Sequence, residues 1–200
     1  MKNRNKYTNL ANGVALWALN SSSILFTLLS MYGLFMIRDF TIKQKDSKLK
    51  SLTEVLFVLA GIRGFITFWS AYKPSMILPY ITIFINVVLF AISILVLKHS
   101  LKYIMHKLEE YELVNLFKRV GQGYYIIIIV DAILVSLLLL VLFTVFFPFN
   151  FLLNLVSILL NQSFNLFLSL GLTFIKYYAS RSFTKSAMML ENAAHLEERM

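Results

Sequence analysis

The chain has no cysteine and few charged side chains. Of its 200 residues, three are proline and 14% are charged. The lack of cysteine excludes disulfides, thiolate metal ligands, iron–sulfur clusters and a cysteine nucleophile. Soluble domains carry about 25% charged residues. The low charge therefore excludes an ordinary water-facing surface over much of the chain.

Apolar sequence takes the place of the missing charge. Hydrophobic residues make up 58% of the chain, and the mean hydropathy is +0.73. An apolar run covers residues 124–147 and contains a single charge, Asp131. At about 1.5 Å per residue, such a helix crosses the hydrocarbon core of a bilayer, which is about 30 Å thick. The run predicts an integral membrane protein built from helices.

The predicted fold is an all-α integral membrane protein, a bundle of about five transmembrane helices with helical cytoplasmic extensions. We interpret the chain as a single transmembrane domain with a retained first helix. Its predicted spans cover about residues 10–37, 52–72, 77–97, 124–147 and 151–180. The first segment is long for one span and too short for two. The last could instead form two short spans, or a re-entrant piece and a span, which would make six.

Residues 98–120 predict an amphipathic cytoplasmic helix. Its apolar stripe consists of Leu101, Ile104, Met105, Leu108 and Tyr111. This helix would either continue the third span or lie on the membrane surface. Gly121 and Gly123 are expected to end it and to allow the turn into the fourth span. Residues 38–51 predict an exposed loop, and residues 181–200 a helical cytoplasmic tail.

The distribution of basic residues predicts an orientation. The chain has 19 Lys and Arg against 10 Asp and Glu. In a soluble protein this excess would suggest a nucleic-acid partner, but here the basic residues flank apolar runs, as the positive-inside rule describes. With five spans, 14 of them fall on the side of the two large loops and the C-terminus, and four on the other. We therefore expect a multi-pass protein of the cell membrane with its N-terminus outside and its C-terminus in the cytoplasm.

Two charged residues inside predicted spans, Arg63 and Asp131, form the sharpest candidate site. Counted from the cytoplasmic face, Arg63 would lie roughly 16 Å deep and Asp131 roughly 10 Å deep. Each charge alone is expensive in a bilayer, and together they could neutralise one another. The functional interpretation is a proton or ion relay, or a substrate site. The alternative is a structural ion pair or a contact to another subunit.

The last predicted span carries a polar stripe with spacing 3, 4, 4, 4 and 7, which keeps its members on one helix face. The stripe consists of Asn154, Ser157, Asn161, Asn165, Ser169 and Lys176. It could line a polar path, or it could pack against the bundle or a neighbouring subunit, as Asn and Ser often do in membranes. Lys176 is expected to extend toward the head groups.

The sequence offers no catalytic, metal or cofactor site. The histidines, His99, His106 and His195, lie outside the apolar spans, so no haem is expected. The chain also lacks a phosphate-binding glycine loop, an HExxH motif and a GxSxG motif. We expect a protein that is not an enzyme and carries no cofactor.

Three classes of function remain. The first is a non-catalytic accessory or structural subunit of a larger membrane complex, such as a respiratory or transport assembly. The second is a small oligomeric transporter or channel that uses Arg63, Asp131 and the polar stripe of the last span. An intramembrane enzyme is the least favoured, because no acid, base and nucleophile converge. The expected partners are the lipid bilayer and either other membrane subunits or further copies of the chain.

Overall fold

The computed structural model describes residues 6–19, 24–73, 78–146 and 162–197. These residues form six helices and no strand. In chain order the helices are α1 (Lys6–Ala18), α2 (Ile24–Gln44), α3 (Ser47–Tyr72), α4 (Leu78–Glu110), α5 (Val114–Phe146) and α6 (Gln162–Glu197). Neighbouring helices pack along the chain from α1 to α5, α5 packs against α6, and α6 returns to α1.

Three of the described helices are long and apolar enough to cross a membrane. The candidate spans are Ser47–Trp69 in α3, Ile81–Glu110 in α4 and Val114–Val141 in α5. They cover most of the second, third and fourth predicted spans. Their length and composition support an integral membrane protein, whereas the count of five spans is not established by these helices.

The first predicted span, residues 10–37, is divided between two helices. α1 ends at Ala18 and α2 begins at Ile24. With 13 residues, α1 is about 20 Å long, which is too short for a bilayer core of about 30 Å. The two helices pack so closely that a Cβ atom placed on Gly33 would lie 2.6 Å from the carbonyl oxygen of Gly13. Residues 10–37 therefore do not form one continuous helix.

The turn between α4 and α5 lies earlier than the glycines suggested. α4 continues the third predicted span without a break and ends at Glu110. The amide of Leu113 then donates to the carbonyl of Leu108, and Glu112 adopts a positive φ of 55°. This pattern is a Schellman motif, which closes the last helical turn. Residues 114–120 already belong to α5, so the predicted turn at Gly121 and Gly123 is wrong.

A chain of aromatic and polar contacts joins four helices at one end of the bundle. Tyr7 of α1 lies 6.3 Å from the ring of Phe40 in α2, which lies 5.2 Å from Tyr103 in α4. The Tyr103 hydroxyl donates to the carboxylate of Asp46, at 2.6 Å, just before α3. Lys6 lies over the Phe40 ring in the same region. We call this end of the bundle, which contains Lys6, Tyr7, Phe40 and Tyr103, the basic end. Partial burial, reinforced by Lys107, lowers the pKa of the Lys6 ammonium.

The first turn of α1 also contacts the last turns of α6 at the basic end. The backbone amide of Tyr7 donates to Glu191 Oε1 at 2.8 Å. This contact brings residues near the two chain ends together at the basic end.

The hydrophobic core is concentrated toward the basic end, around α1. Seven of the 13 residues of α1 are buried, because α2 and α6 cover it and α4 touches it. The apolar stripe of α4 contributes Leu101, Ile104 and Leu108, all buried. Phe183 and Leu190 of α6 are buried as well. The predicted amphipathic stripe and the C-terminal helix thus pack into the protein.

Candidate functional site

Asp131 of α5 forms an ion pair with Lys176 of α6 inside the apolar part of the bundle. The side chain of Lys176 is 5% exposed, and that of Asp131 is 22% exposed. α5 and α6 come close because Gly123, eight residues before Asp131, has no side chain. A Cβ there would lie 2.8 Å from the carbonyl oxygen of Ala179. Two opposite charges in contact satisfy each other where water cannot.

Arg63 of α3 lies in a second buried polar contact. Arg63 is 7% exposed, and its Nη1 donates to Oδ1 of Asn86 in α4, at 3.4 Å. Both residues lie 17 positions from the Asp46–Tyr103 contact on their helices, which is about 25 Å from that level. The equal spacing shows that α3 and α4 keep one antiparallel register over this length.

The structure gives Asp131 a different partner from the one expected. It brings Asp131 to Lys176 and Arg63 to Asn86, and the described residues include no Arg63–Asp131 ion pair. The reason is the packing order, since α3 lies against α2 and α4, whereas α5 lies against α4 and α6. Similar depth along the membrane normal did not make these residues neighbours.

The predicted polar stripe is described only in part. Asn154, Ser157 and Asn161 lie outside the described residues. Asn165 and Ser169 belong to α6, but only their helical backbone is described. Lys176 is the one member whose side chain is placed, and it turns inward to Asp131. Its predicted extension to the head groups is therefore wrong.

The stripe continues beyond Lys176 toward the basic end, which sequence reasoning missed. Ser180, Thr184 and Glu191 follow Lys176 at spacings of 4, 4 and 7, so they share one face of α6. Thr184 Oγ1 donates to Asn12 Oδ1 of α1 at 3.1 Å. The same spacing rule, extended past residue 176, would have found these residues.

Glu191 is the strongest polar contact between α1 and α6. Its Oε1 accepts from the backbone amides of Tyr7, at 2.8 Å, and Thr8, at 3.1 Å. Its Oε2 accepts from Thr8 Oγ1 at 2.6 Å. The first amides of a helix have no partner within the helix, and the helix dipole favours a negative charge there. Glu191 therefore caps α1 from another helix, and we call this set of three hydrogen bonds the Glu191 latch.

The described residues contain no group of three or more His, Cys, Asp and Glu side chains that could hold a metal ion. The buried polar groups instead occur as contacts between helices. Comparison with protein families, with curated proteins and with solved structures finds no match for this chain. The function proposed below therefore rests on side-chain chemistry and geometry.

Proposed function

We propose that the protein is a non-catalytic accessory or structural subunit of a larger membrane complex. The observation that carries the proposal is the Asp131–Lys176 ion pair, in which a partly buried carboxylate is neutralised by a buried lysine of a neighbouring helix of the same chain. A buried pair of this kind fixes the register of two helices. Arg63, bonded to Asn86, is placed to do the same for α3 and α4.

The surface of the spans supports a role within an assembly. Only 11% of the most apolar 18-residue stretch of α5 is buried within the chain. Large side chains such as Ile129 of α5, Phe65 of α3 and Phe174 of α6 are more than half exposed. Lipid or neighbouring subunits must cover these side chains, since water would not.

We further propose that both chain ends are cytoplasmic. The contact of Tyr7 with Glu191 supports a topology in which the N-terminal segment, whose basic residues are Lys2, Arg4 and Lys6, is on the side of the two large loops. That side then carries 16 of the 19 Lys and Arg, against Lys73 on the other and Arg63 and Lys176 within the spans. By the positive-inside rule, the side with 16 basic residues faces the cytoplasm.

If both chain ends are cytoplasmic, the chain crosses the membrane an even number of times. α1 is about 20 Å long, and the apolar part of α2, residues 24–37, is about 21 Å long. Neither reaches across about 30 Å of hydrocarbon. We propose that α1 and α2 form a re-entrant hairpin, followed by four crossings in α3, α4, α5 and α6.

Affinity purification from the native membrane with mass spectrometry tests the proposed function. A subunit is expected to bring down a stable partner in fixed stoichiometry. The purified chain is also reconstituted alone into vesicles, and uptake of ions and small solutes is measured.

Uptake by the chain alone, without a partner, would overturn the subunit proposal in favour of a small oligomeric transporter or channel. The ion pair Asp131–Lys176 is the observation that favours this second function, because charged residues within spans often mark ion pathways. Loss of uptake in Asp131→Asn would then assign the pathway.

A further inference from the structure

α1 packs against the part of the α6 polar stripe that runs from Thr184 to the basic end. Thr8 bonds Glu191, and Asn12, about one turn further along α1, bonds Thr184, about two turns earlier on α6. These two contacts fix α1 and α6 as antiparallel. Every placed polar contact between α1 and α6 thus falls on the stripe.

The inner end of α1 lies at the level of the Asp131–Lys176 pair. From the Asn12–Thr184 contact, Ala18 is six residues further along α1, or about 9 Å. Lys176 is eight residues away on α6 in the same direction, or about 12 Å. α1 therefore extends along the bundle from the basic end to approximately the level of the Asp131–Lys176 pair, and no further.

We propose that α1 is a plug, held by the Glu191 latch, that keeps water at the basic end from reaching the α6 stripe and the Asp131–Lys176 pair. Seven of its 13 residues are buried among the surrounding helices. The latch consists of hydrogen bonds to an ionised carboxylate, which are stronger than neutral ones. This role goes beyond the proposed function, because it concerns water access from one side and applies to a subunit or a transporter.

The absence of native cysteine makes the proposal directly testable with a single introduced thiol. Ser180 is the reporter, because it is 1% exposed, lies four residues before Thr184 on the stripe, and differs from Cys by one atom. The full chain carrying Ser180→Cys is placed in vesicles. A charged, membrane-impermeant methanethiosulfonate is applied on the side of the chain ends, and the modification rate is measured.

With the latch intact, Ser180→Cys is expected to react at least tenfold more slowly than Lys185→Cys, an exposed position on the same helix. Adding Glu191→Ala is expected to raise the rate at position 180 at least tenfold. Glu109→Ala, which removes an exposed carboxylate of α4 outside the latch, is expected to leave the rate unchanged.

The proposal is overturned if position 180 reacts as fast as position 185 in the intact chain. It is also overturned if Glu191→Ala gives a folded protein with an unchanged rate. Should Glu191→Ala not yield folded protein, the double variant Thr8→Val/Thr184→Val takes its place. It removes one hydrogen bond at each of the two contacts between α1 and the stripe and keeps the Glu191 carboxylate. An increased modification rate at position 180 would support the proposal, and an unchanged rate would overturn it.

Discussion

Gly13 of α1 and Gly33 of α2 meet backbone to backbone. A Cβ on Gly33 would lie 2.6 Å from the carbonyl oxygen of Gly13, and a Cβ on Gly13 would lie 2.9 Å from the carbonyl oxygen of Gly33. Real Cβ atoms do not approach a carbonyl oxygen this closely. Small residues at helix contacts let membrane helices pack in this way, and here they hold the plug helix against α2.

Gly33→Ala is therefore expected to destabilise the protein by about 1–3 kcal/mol, the usual effect of overfilling a packed interface. The obstructing groups are the Gly13 carbonyl oxygen and the Trp17 amide nitrogen, neither of which can rotate away. The melting temperature of the purified protein in detergent measures the change. Gly61→Ala is the matched control, since a Cβ there meets only Met31 Cε, at 3.9 Å. Equal melting temperatures for Gly33→Ala and wild type would contradict the close contact.

Removing one member of the Asp131–Lys176 pair is expected to be more damaging than removing both. Asp131→Asn or Lys176→Gln leaves a buried charge without its partner, which in buried pairs destabilises by about 3–5 kcal/mol. The double variant Asp131→Asn/Lys176→Gln leaves no charge and is expected to recover most of the loss. Melting temperatures of the four proteins form a double-mutant cycle. A double variant as unstable as the sum of the single variants would show that the two groups do not interact.

A second double-mutant cycle tests whether Arg63 interacts with Asp131. Adding Arg63→Gln to Asp131→Asn is expected to give additive effects, since Arg63 bonds Asn86 and not Asp131. Additivity within about 0.5 kcal/mol is the rule for independent sites. Coupling between Arg63 and Asp131 larger than that would restore the pair expected from the sequence.

Sequence alone predicts the helical class and the positions of α3, α4 and α5, because hydropathy over about 20 residues is a local property. It does not predict which helices touch. Predicted depth in a bilayer supplies one coordinate, and by that coordinate Arg63 was within reach of Asp131. The packing of α5 against α6 instead makes Lys176 the partner of Asp131.

The misplaced boundaries have physical causes as well. Glycine often marks a turn, but Gly123 lies within α5. A glycine is needed at this position because Ala179 and Phe183 of α6 leave no room for a side chain. The turn that does occur is formed at Glu112, a residue type that rarely adopts a positive φ. The division of the segment 10–37 had a sequence signal in the four consecutive polar residues 20–23.

Glycine is expected to stabilise the protein at two positions of positive φ, one directly after α2 and one just after α4. Lys45 and Glu112 have φ of 56° and 55°, a conformation that disfavours L-residues by about 1–2 kcal/mol. Glu112→Gly is expected to raise stability by about 1 kcal/mol, since glycine adopts this conformation without a steric penalty. Lys102→Gly, at an exposed position within α4, is the control and is expected to lower stability by about 1 kcal/mol. If Glu112→Gly also melts below wild type, the assigned end of α4 is incorrect.

The N-cap of α3 is expected to make stability depend on acid pH. Partial burial alone would raise the pKa of the Asp46 carboxyl, but the hydrogen bonds from the Leu49 amide, at 3.0 Å, and the Tyr103 hydroxyl, at 2.6 Å, contribute to a net lowering from 3.8. A pKa that is lower in the folded state stabilises the protein above the unfolded value and loses this effect as the pH falls through the folded value.

Asp46→Asn tests this dependence, because an amide oxygen can still cap the helix but does not titrate in this range. Wild type is expected to melt above Asp46→Asn at pH 6, and the difference is expected to shrink as the pH falls below about 3.8. Melting temperatures of both proteins are measured from pH 6 to pH 3. Asp39→Asn, which alters an exposed carboxylate outside the cap, is the control. A gap between wild type and Asp46→Asn that stays constant over this range would show that the Asp46 charge does not contribute to capping.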